Sequence, residues 1–222
     1  RGRQARVFAQ RGGNQTTVDE NGISTDAYVH ALYGLAVQRK PRSVLMIGCG
    51  GGTLATMLHG SGVKVTTVDI DPAAIELAYT VFGMPRGVRS HAGDGLAFMQ
   101  ATRRKFDVVV IDAFVGEKIP RQFKGPNLAE AAGRCLARDG LVLFNVCLAG
   151  RRDRTADAIG EMFVQCGWPA KLLDEPGTDR NAIVIAGRVR GLRKPRLHLV
   201  PQTGVAALRR RLNAAGFREV RK

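Results

Sequence analysis

Three aspartates, each closing an apolar run, are the side chains best placed to do chemistry: Asp69 in VTTVDIDP, Asp94 in HAGDG and Asp112 in FDVVVIDAF. A fourth stretch, VLMIGCGGGT, sets Gly48, Gly50 and Gly52 where another apolar run ends. Glycines in that place remove side chains, so that backbone amides and the start of a following helix can approach a ligand closely. Asp69 lies 19 residues beyond Gly50, where an acidic side chain at the end of the next strand can accept both hydroxyl protons of a ribose. Asp94 suits a bond from an adenine amino group, and Gly95 beside it allows close backbone approach. Two carboxylates at successive strand ends, after a glycine turn on the first strand, describe an adenosine site.

Each feature also has a plain structural reading. The glycine turn can serve tight packing alone. Asp71, just before Pro72, and Asp94 are both good helix caps, and Asp112 could cap the loop that follows it. A dinucleotide fingerprint requires a further glycine where Thr53 stands, which disfavours a nicotinamide cofactor. The cysteines Cys49, Cys135, Cys147 and Cys166 are far apart and have no metal-ligand spacing, so no metal is expected. Three of them sit in apolar stretches, and they read instead as buried free thiols in a reducing cytoplasm.

The elements that must hold these residues alternate. Residues 6–24 read as small antiparallel strands with turn signals at Gly12-Gly13-Asn14 and Asn21-Gly22. A helix follows from about Thr25 to Gln38. Strands are expected at 43–47, 64–68, 88–91, 106–111, 141–146 and 182–186. Helices are expected at 53–59, 72–82, 95–102, 127–136 and 152–166. This order specifies an α/β, doubly wound, mostly parallel Rossmann-like sheet whose ligands lie at the carboxyl ends of its strands. The domain reading is a hairpin segment at 1–24, a nucleoside-binding domain at 25–188, and a basic linker and helix at 189–222.

Composition narrows the classes. The 222 residues are 45% hydrophobic and 24% charged, enough for one sizeable core. No apolar run approaches the ~20 residues of a membrane span, and no leader pattern opens the chain; a soluble, cytoplasmic protein with no membrane partner is expected. The formal charge is +15, and it is uneven. Residues 1–13 carry four arginines and no acid, and 189–222 carry ten bases against Glu219 alone, whereas 14–188 hold only +2. Basic ends of this kind suit RNA, DNA or an acidic membrane surface, or simply a solubilising periphery.

The motifs VLMIGCGGG, VDIDP, HAGDGLAFM, FDVVVIDAF and DGLVLFNV resemble the spermidine synthase-like family, which has the class I methyltransferase fold, from about Val7 to Ala186. Residues 7–32 resemble the last hairpin of that family's N-terminal β-domain and the helix after it. The resemblance implies a sulfonium adenosine donor, either S-adenosylmethionine or its decarboxylated form. Asp69 would take the ribose hydroxyls, Ile70 would pack on the adenine, Asp94 would meet its amino group, and Asp112 would be the catalytic carboxylate. Relatives associate through the β-domain, which makes a homodimer an expectation.

The chain departs from the aminopropyltransferases within that family. They carry an acid in the glycine loop that holds the donor's amine, where this chain has Gly51. They carry a second acid after the fourth strand, where this chain reads Asp112-Ala113-Phe114-Val115. A Tyr-Gln pair in the first helix is absent. With fewer carboxylates for a polycation, the residues favour intact S-adenosylmethionine and methyl transfer to a small-molecule acceptor, while the family favours aminopropyl transfer to a polyamine. Glu117, Asp19 and Glu20 could supply a missing acid, and 115–125 could form a lid. A nucleic-acid-binding protein with a vestigial adenosine pocket is the alternative from another class.

Overall fold

Strand and helix alternate through most of the chain, in a computed structural model that describes residues 6–10, 13–116, 118–177 and 180–221. A hairpin of β1 (Arg6–Gln10) and β2 (Gly13–Val18) comes first. Then follow α1 (Ala27–Val37), β3 (Ser43–Ile47), α2 (Thr53–Gly60), β4 (Lys64–Asp69), α3 (Pro72–Thr80), β5 (Arg89–Ala92), α4 (Gly95–Ala101) and β6 (Phe106–Ile111). The second half adds α5 (Pro126–Cys135), β7 (Leu136–Leu148), α6 (Thr155–Gln165), β8 (Ala170–Asp174), β9 (Arg180–Gly187), α7 (Val205–Ala214) and β10 (Gly216–Arg218). Eight strands form one sheet in the order β10-β8-β9-β7-β6-β3-β4-β5. The five strands β3 to β7 are parallel, whereas the pairs β7–β9, β9–β8 and β8–β10 are antiparallel.

The sheet is covered on both faces, which is why its central strands are apolar throughout. Side chains alternate across a strand: Val44 and Met46 of β3 enter one core with Leu32, Leu35 and Val108, while Leu45 and Ile47 enter the other with Val109, Ile111 and Phe144. All of these are buried. The parallel strands end together at their carboxyl edge, and the strand order turns back between β3 and β6. The crevice at such a reversal is where ligands bind in open α/β sheets.

Two strands had no sequence expectation. β8 contributes only Leu172 and Leu173 to the core, and β10 is three residues long. Their place comes from side chains distant in sequence. Arg218 of β10 reaches Asp157 of α6 at 2.6 Å and Asp174 of β8 at 3.0 Å, and Arg180 of β9 meets Asp174 at 2.9 Å. Burial pushes the Asp157 carboxyl upward, but the bonds from Arg218 and the Arg221 amide hold it below the ordinary value.

The C-terminal segment docks rather than trailing. Gln38 exchanges two bonds with the backbone of Arg193 (2.9 and 2.8 Å), and the Arg39 guanidinium donates to the carbonyls of Arg188 and Arg190. Pro195 packs so closely on Gly34 that a Cβ there would lie 2.8 Å from its ring. The Gln202 amide donates to Asp19, whose other oxygen takes the amides of Asn21 and Ile23. A boundary at 188/189 therefore cuts across contacts that β10 carries into the sheet. No helix among the described residues is long and apolar enough to cross a membrane.

Candidate active site

The glycine loop is shaped first by the protein itself. Gly48 follows β3 with φ +91°, and a Cβ on it would fall 2.1 Å from the carbonyl oxygen of Asp112. Only glycine permits that approach. The Asp112 amide in turn donates to the Ile47 carbonyl at 2.8 Å, so the ends of β3 and β6 are locked together and the backbone of Asp112 is set by Gly48. Gly50 and Gly52 also have positive φ. Gly52 precedes α2 and lies against Met84.

Gly51 holds an unexpected neighbour. Its amide donates to the hydroxyl of Thr16 in β2 at 2.9 Å. A Cβ on Gly51 would sit 2.7 Å from the Thr16 methyl, and Thr16 is buried. The expectation of a loop with bare amides therefore holds only in part: Thr16 takes the Gly51 amide and Asp69 takes that of Cys49. The first-turn amides of α2 lack helical partners, as at every helix start. Beside them the hydroxyl of Thr53 is buried and has no partner among the described residues.

Asp69 closes β4. One oxygen accepts from the Cys49 amide (2.6 Å) and the other from the Asp71 amide (2.9 Å). These bonds orient the carboxylate and leave it lone pairs to spare. Ile70 next to it is 69% exposed, an apolar side chain offered to solvent at the mouth of the loop. Asp71 is the helix cap of α3, accepting from the Ala73 amide.

Asp94 has the cap geometry for α4: its Oδ1 accepts from the Ala97 amide at 2.8 Å. Its Oδ2 accepts from Gln122 at 2.5 Å. An adenine amino group at Asp94 would share that oxygen with Gln122 or displace it. Gly95 allows close approach of a protein side chain, since a Cβ there would lie 2.2 Å from Ile47. The segment after β6 is packed down by buried Ile119 and Phe123; Glu117 lies outside the described residues.

Asp112 is the strained carboxylate of the site. Burial raises its pKa from 3.8 to about 6, against the opposing effect of a bond from Asn145, while the charge of Asp26 raises it further. Asn145 donates to Asp112 at 2.7 Å and accepts from Asn181 at 3.0 Å. Tyr28 of α1 shares this space. Burial, then the charges of Asp112 and Asp26, hold its hydroxyl well above the ordinary value. Burial also raises Asp26. A small cavity between α1, α7, β8 and β9 is lined by Tyr28, Asn181, Asp174, Glu175 and Arg211, with Arg211 and Glu175 ion-paired.

The structure thus gathers Gly48, Gly50, Gly52, Asp69, Ile70, Asp94, Gly95 and Asp112 along the carboxyl edge of the sheet. Asp19 serves the turn that follows β2, and Glu20 is exposed. Thr16, Gln122, Asn181 and Arg211 had no sequence expectation. Asn145 carried a readable signal, being the one polar residue in the run LVLFNVCL. Cys49 and Cys135 are buried as expected, but Cys147 and Cys166 are exposed, the first at an open position near the end of β7 and the second at the C-cap of α6. Among the described residues no group of three or more His, Cys, Asp or Glu is placed to hold a metal ion.

A family model described as a methyltransferase domain matches residues 26–221. The chain belongs to that family. It is 28% identical over 137 residues to a probable polyamine aminopropyl transferase of Bifidobacterium longum, covering 61% of this chain and 31% of the relative. It spans less than half the length of the polyamine aminopropyltransferases it matches. In fold it is similar to a probable spermidine synthase from Corynebacterium glutamicum, with a TM-score of 0.78 at 16% identity over 97% of this chain and 87% of that one. Human methyltransferase-like protein 13, solved in complex with SAH, matches with a TM-score of 0.61 at 18% identity over 85% and 90% of the two chains. This methyltransferase-family chain therefore has the class I methyltransferase-like fold that its motifs imply.

Proposed function

We propose that the protein is a methyltransferase that uses intact S-adenosylmethionine and alkylates a small nucleophile held at Asp112. The observation that carries this reading is the packing of Thr16 on Gly51. An acid at position 51, which would hold the amine of a decarboxylated donor, has no space there, and the amide it would cover is bonded to a neutral hydroxyl. The start of α2 and the unpartnered Thr53 hydroxyl offer donors instead, which suit a carboxylate. Asp69 would hold the ribose, Ile70 one face of the adenine, and Asp94 with Gln122 its amino group.

When bound, the donor supplies an activated methyl group on a positively charged sulfur. The chain's own residues then have a limited task. Asp112 is an anion above about pH 6, and a carboxylate raised toward neutrality is a stronger proton acceptor than an ordinary one. It takes or orients the proton of an amine or hydroxyl acceptor, while Asn145 and Asn181 hold its direction. Tyr28 forms an apolar wall with a polar tip beside it. Positioning of this kind supplies most of what a pre-activated donor needs.

The test is calorimetric titration with S-adenosylmethionine, its decarboxylated form and methylthioadenosine. The intact donor should bind more tightly than the decarboxylated one, and Asp69→Ala should weaken all three. Preference for the decarboxylated donor would replace methyl transfer by aminopropyl transfer. Absence of binding by any of the three would end the donor assignment.

A further inference from the structure

The cations of the C-terminal segment are held in place by the fold, and five of them play no part in the adenosine site. Arg190, Arg193, Lys194, Arg209 and Arg210 are all exposed. None of them has an acidic partner among the described residues. Other cations of the same region are neutralised: Arg188 by Asp139, Arg211 by Glu175, and Arg218 by Asp157 and Asp174. Arg196 and Arg221 are likewise exposed and have no acidic partner among the described residues.

The backbone that carries these side chains is pinned to the body of the fold and to α7. Arg39 binds the carbonyl of Arg190, and Gln38 binds both polar groups of the Arg193 backbone. The Lys194 ammonium donates to the Asn213 carbonyl at the end of α7 at 2.7 Å. Arg209 and Arg210 stand four and three residues before Asn213, one helical turn away. Leu208 and Leu212 bury the opposite face of α7, so the arginines point outward. One strip of positive charge runs from the end of α1 across the docked segment to α7.

We propose that this strip binds the phosphate backbone of a nucleic acid. The charge is complementary, the backbone that carries it is fixed, and the acids nearest to it, Asp139 and Glu175, are already paired with Arg188 and Arg211. Large exposed apolar residues are scarce in the segment, Val200 being the one among residues 188–221, which does not suit insertion into a lipid surface. The strip holds no aromatic side chain, so recognition is of backbone charge and not of base sequence. Neutralising about five phosphates on a single strand gives a salt slope of about −3.5, or a roughly hundredfold loss of affinity between 50 and 200 mM salt.

Fluorescence anisotropy with a labelled 20-nucleotide single-stranded RNA tests this, with duplex DNA and anionic phosphatidylserine vesicles as further arms. The RNA should bind at 50 mM salt with that slope. Arg209→Glu/Arg210→Glu should weaken binding at least tenfold and reduce the slope by about 1.4, while Arg209→Lys/Arg210→Lys preserves it. Both variants alter exposed residues and should keep the wild-type melting temperature and donor affinity. Binding of duplex DNA in place of RNA supports the strip with the other nucleic acid as its ligand. Failure of both nucleic acids to bind at 50 mM salt, binding untouched by charge reversal, or binding to vesicles alone overturns the proposal, and none of these outcomes bears on the donor site.

Discussion

Replacing Asp112 by asparagine should make the protein more stable and inactive at once. Burial raises this carboxyl from 3.8 to about 6, so in the folded state its ionised form is disfavoured relative to the unfolded chain. At about 1.4 kcal/mol per pH unit, the ionised side chain costs the fold at most about 3 kcal/mol. The sign follows from the raised value. The penalty is fully present above about pH 6 and shrinks as pH falls toward 3.8, leaving less than about 1 kcal/mol at pH 4. Asparagine keeps an oxygen to accept the bond from Asn145 while removing the charge. At pH 8 the variant should therefore melt about 6–12 °C higher than the parent, at roughly 2–4 °C per kcal/mol for a chain of this size. At pH 4 the two should nearly coincide. Differential scanning fluorimetry at the two pH values, beside a methyl-transfer assay, measures both halves. An unchanged or lower melting temperature at pH 8, or a gain that persists undiminished at pH 4, would refute the picture of a strained, functional carboxylate.

Wild-type transfer activity should fall as pH drops through about 6, where Asp112 takes up its proton. Asn145→Ala removes the bond that opposes this, and should move the acid limb upward by about one to two pH units in a pH–rate profile. Gly51→Asp should lose about 1–3 kcal/mol of stability through collision with Thr16. The double variant Thr16→Ala/Gly51→Asp removes the methyl and hydroxyl contacts but keeps the Thr16 Cβ, so it should recover part of that loss and shift preference toward the decarboxylated donor by about tenfold or more, read by competitive titration. Arg218→Ala leaves the buried carboxylate of Asp157 with only the Arg221 amide and the more distant Arg154, and should cost about 1–3 kcal/mol in urea unfolding while leaving donor affinity unchanged.

Much of this molecule is written in local pattern. The apolar runs, the glycine turn and the spacing from Gly50 to Asp69 are properties of neighbouring residues, and a sheet buried on both faces translates them directly into parallel strands with acids at their carboxyl ends. The order of the acids along the carboxyl edge of the sheet and the position of Asp112 just after β6 follow from that. The apolar pattern could not say what the loop amides would bond to, because the partner of Gly51 is Thr16, 35 residues earlier. Nor could it say that Gly48 and Gly95 are small for the sake of Asp112 and Ile47 more than for a ligand.

The remaining decisions belong to packing between distant segments. Asn145 and Asn181 lie 36 residues apart and become one relay behind Asp112 only when β7 and β9 pair. The weak strands β8 and β10 exist because Arg218 and Arg180 find Asp157 and Asp174 across the sheet edge. A run of basic residues gives no sign of whether it trails in solvent or docks; Gln38 and Arg39, just after α1, decide that by gripping Arg193 and Arg190 from more than 150 residues away. Sequence alone thus determined the scaffold and the acids on it, since short-range periodicity dictates which residues enter a two-sided core. Only the tertiary structure decided which groups those acids and glycines meet, because such meetings depend on where remote surfaces come to rest.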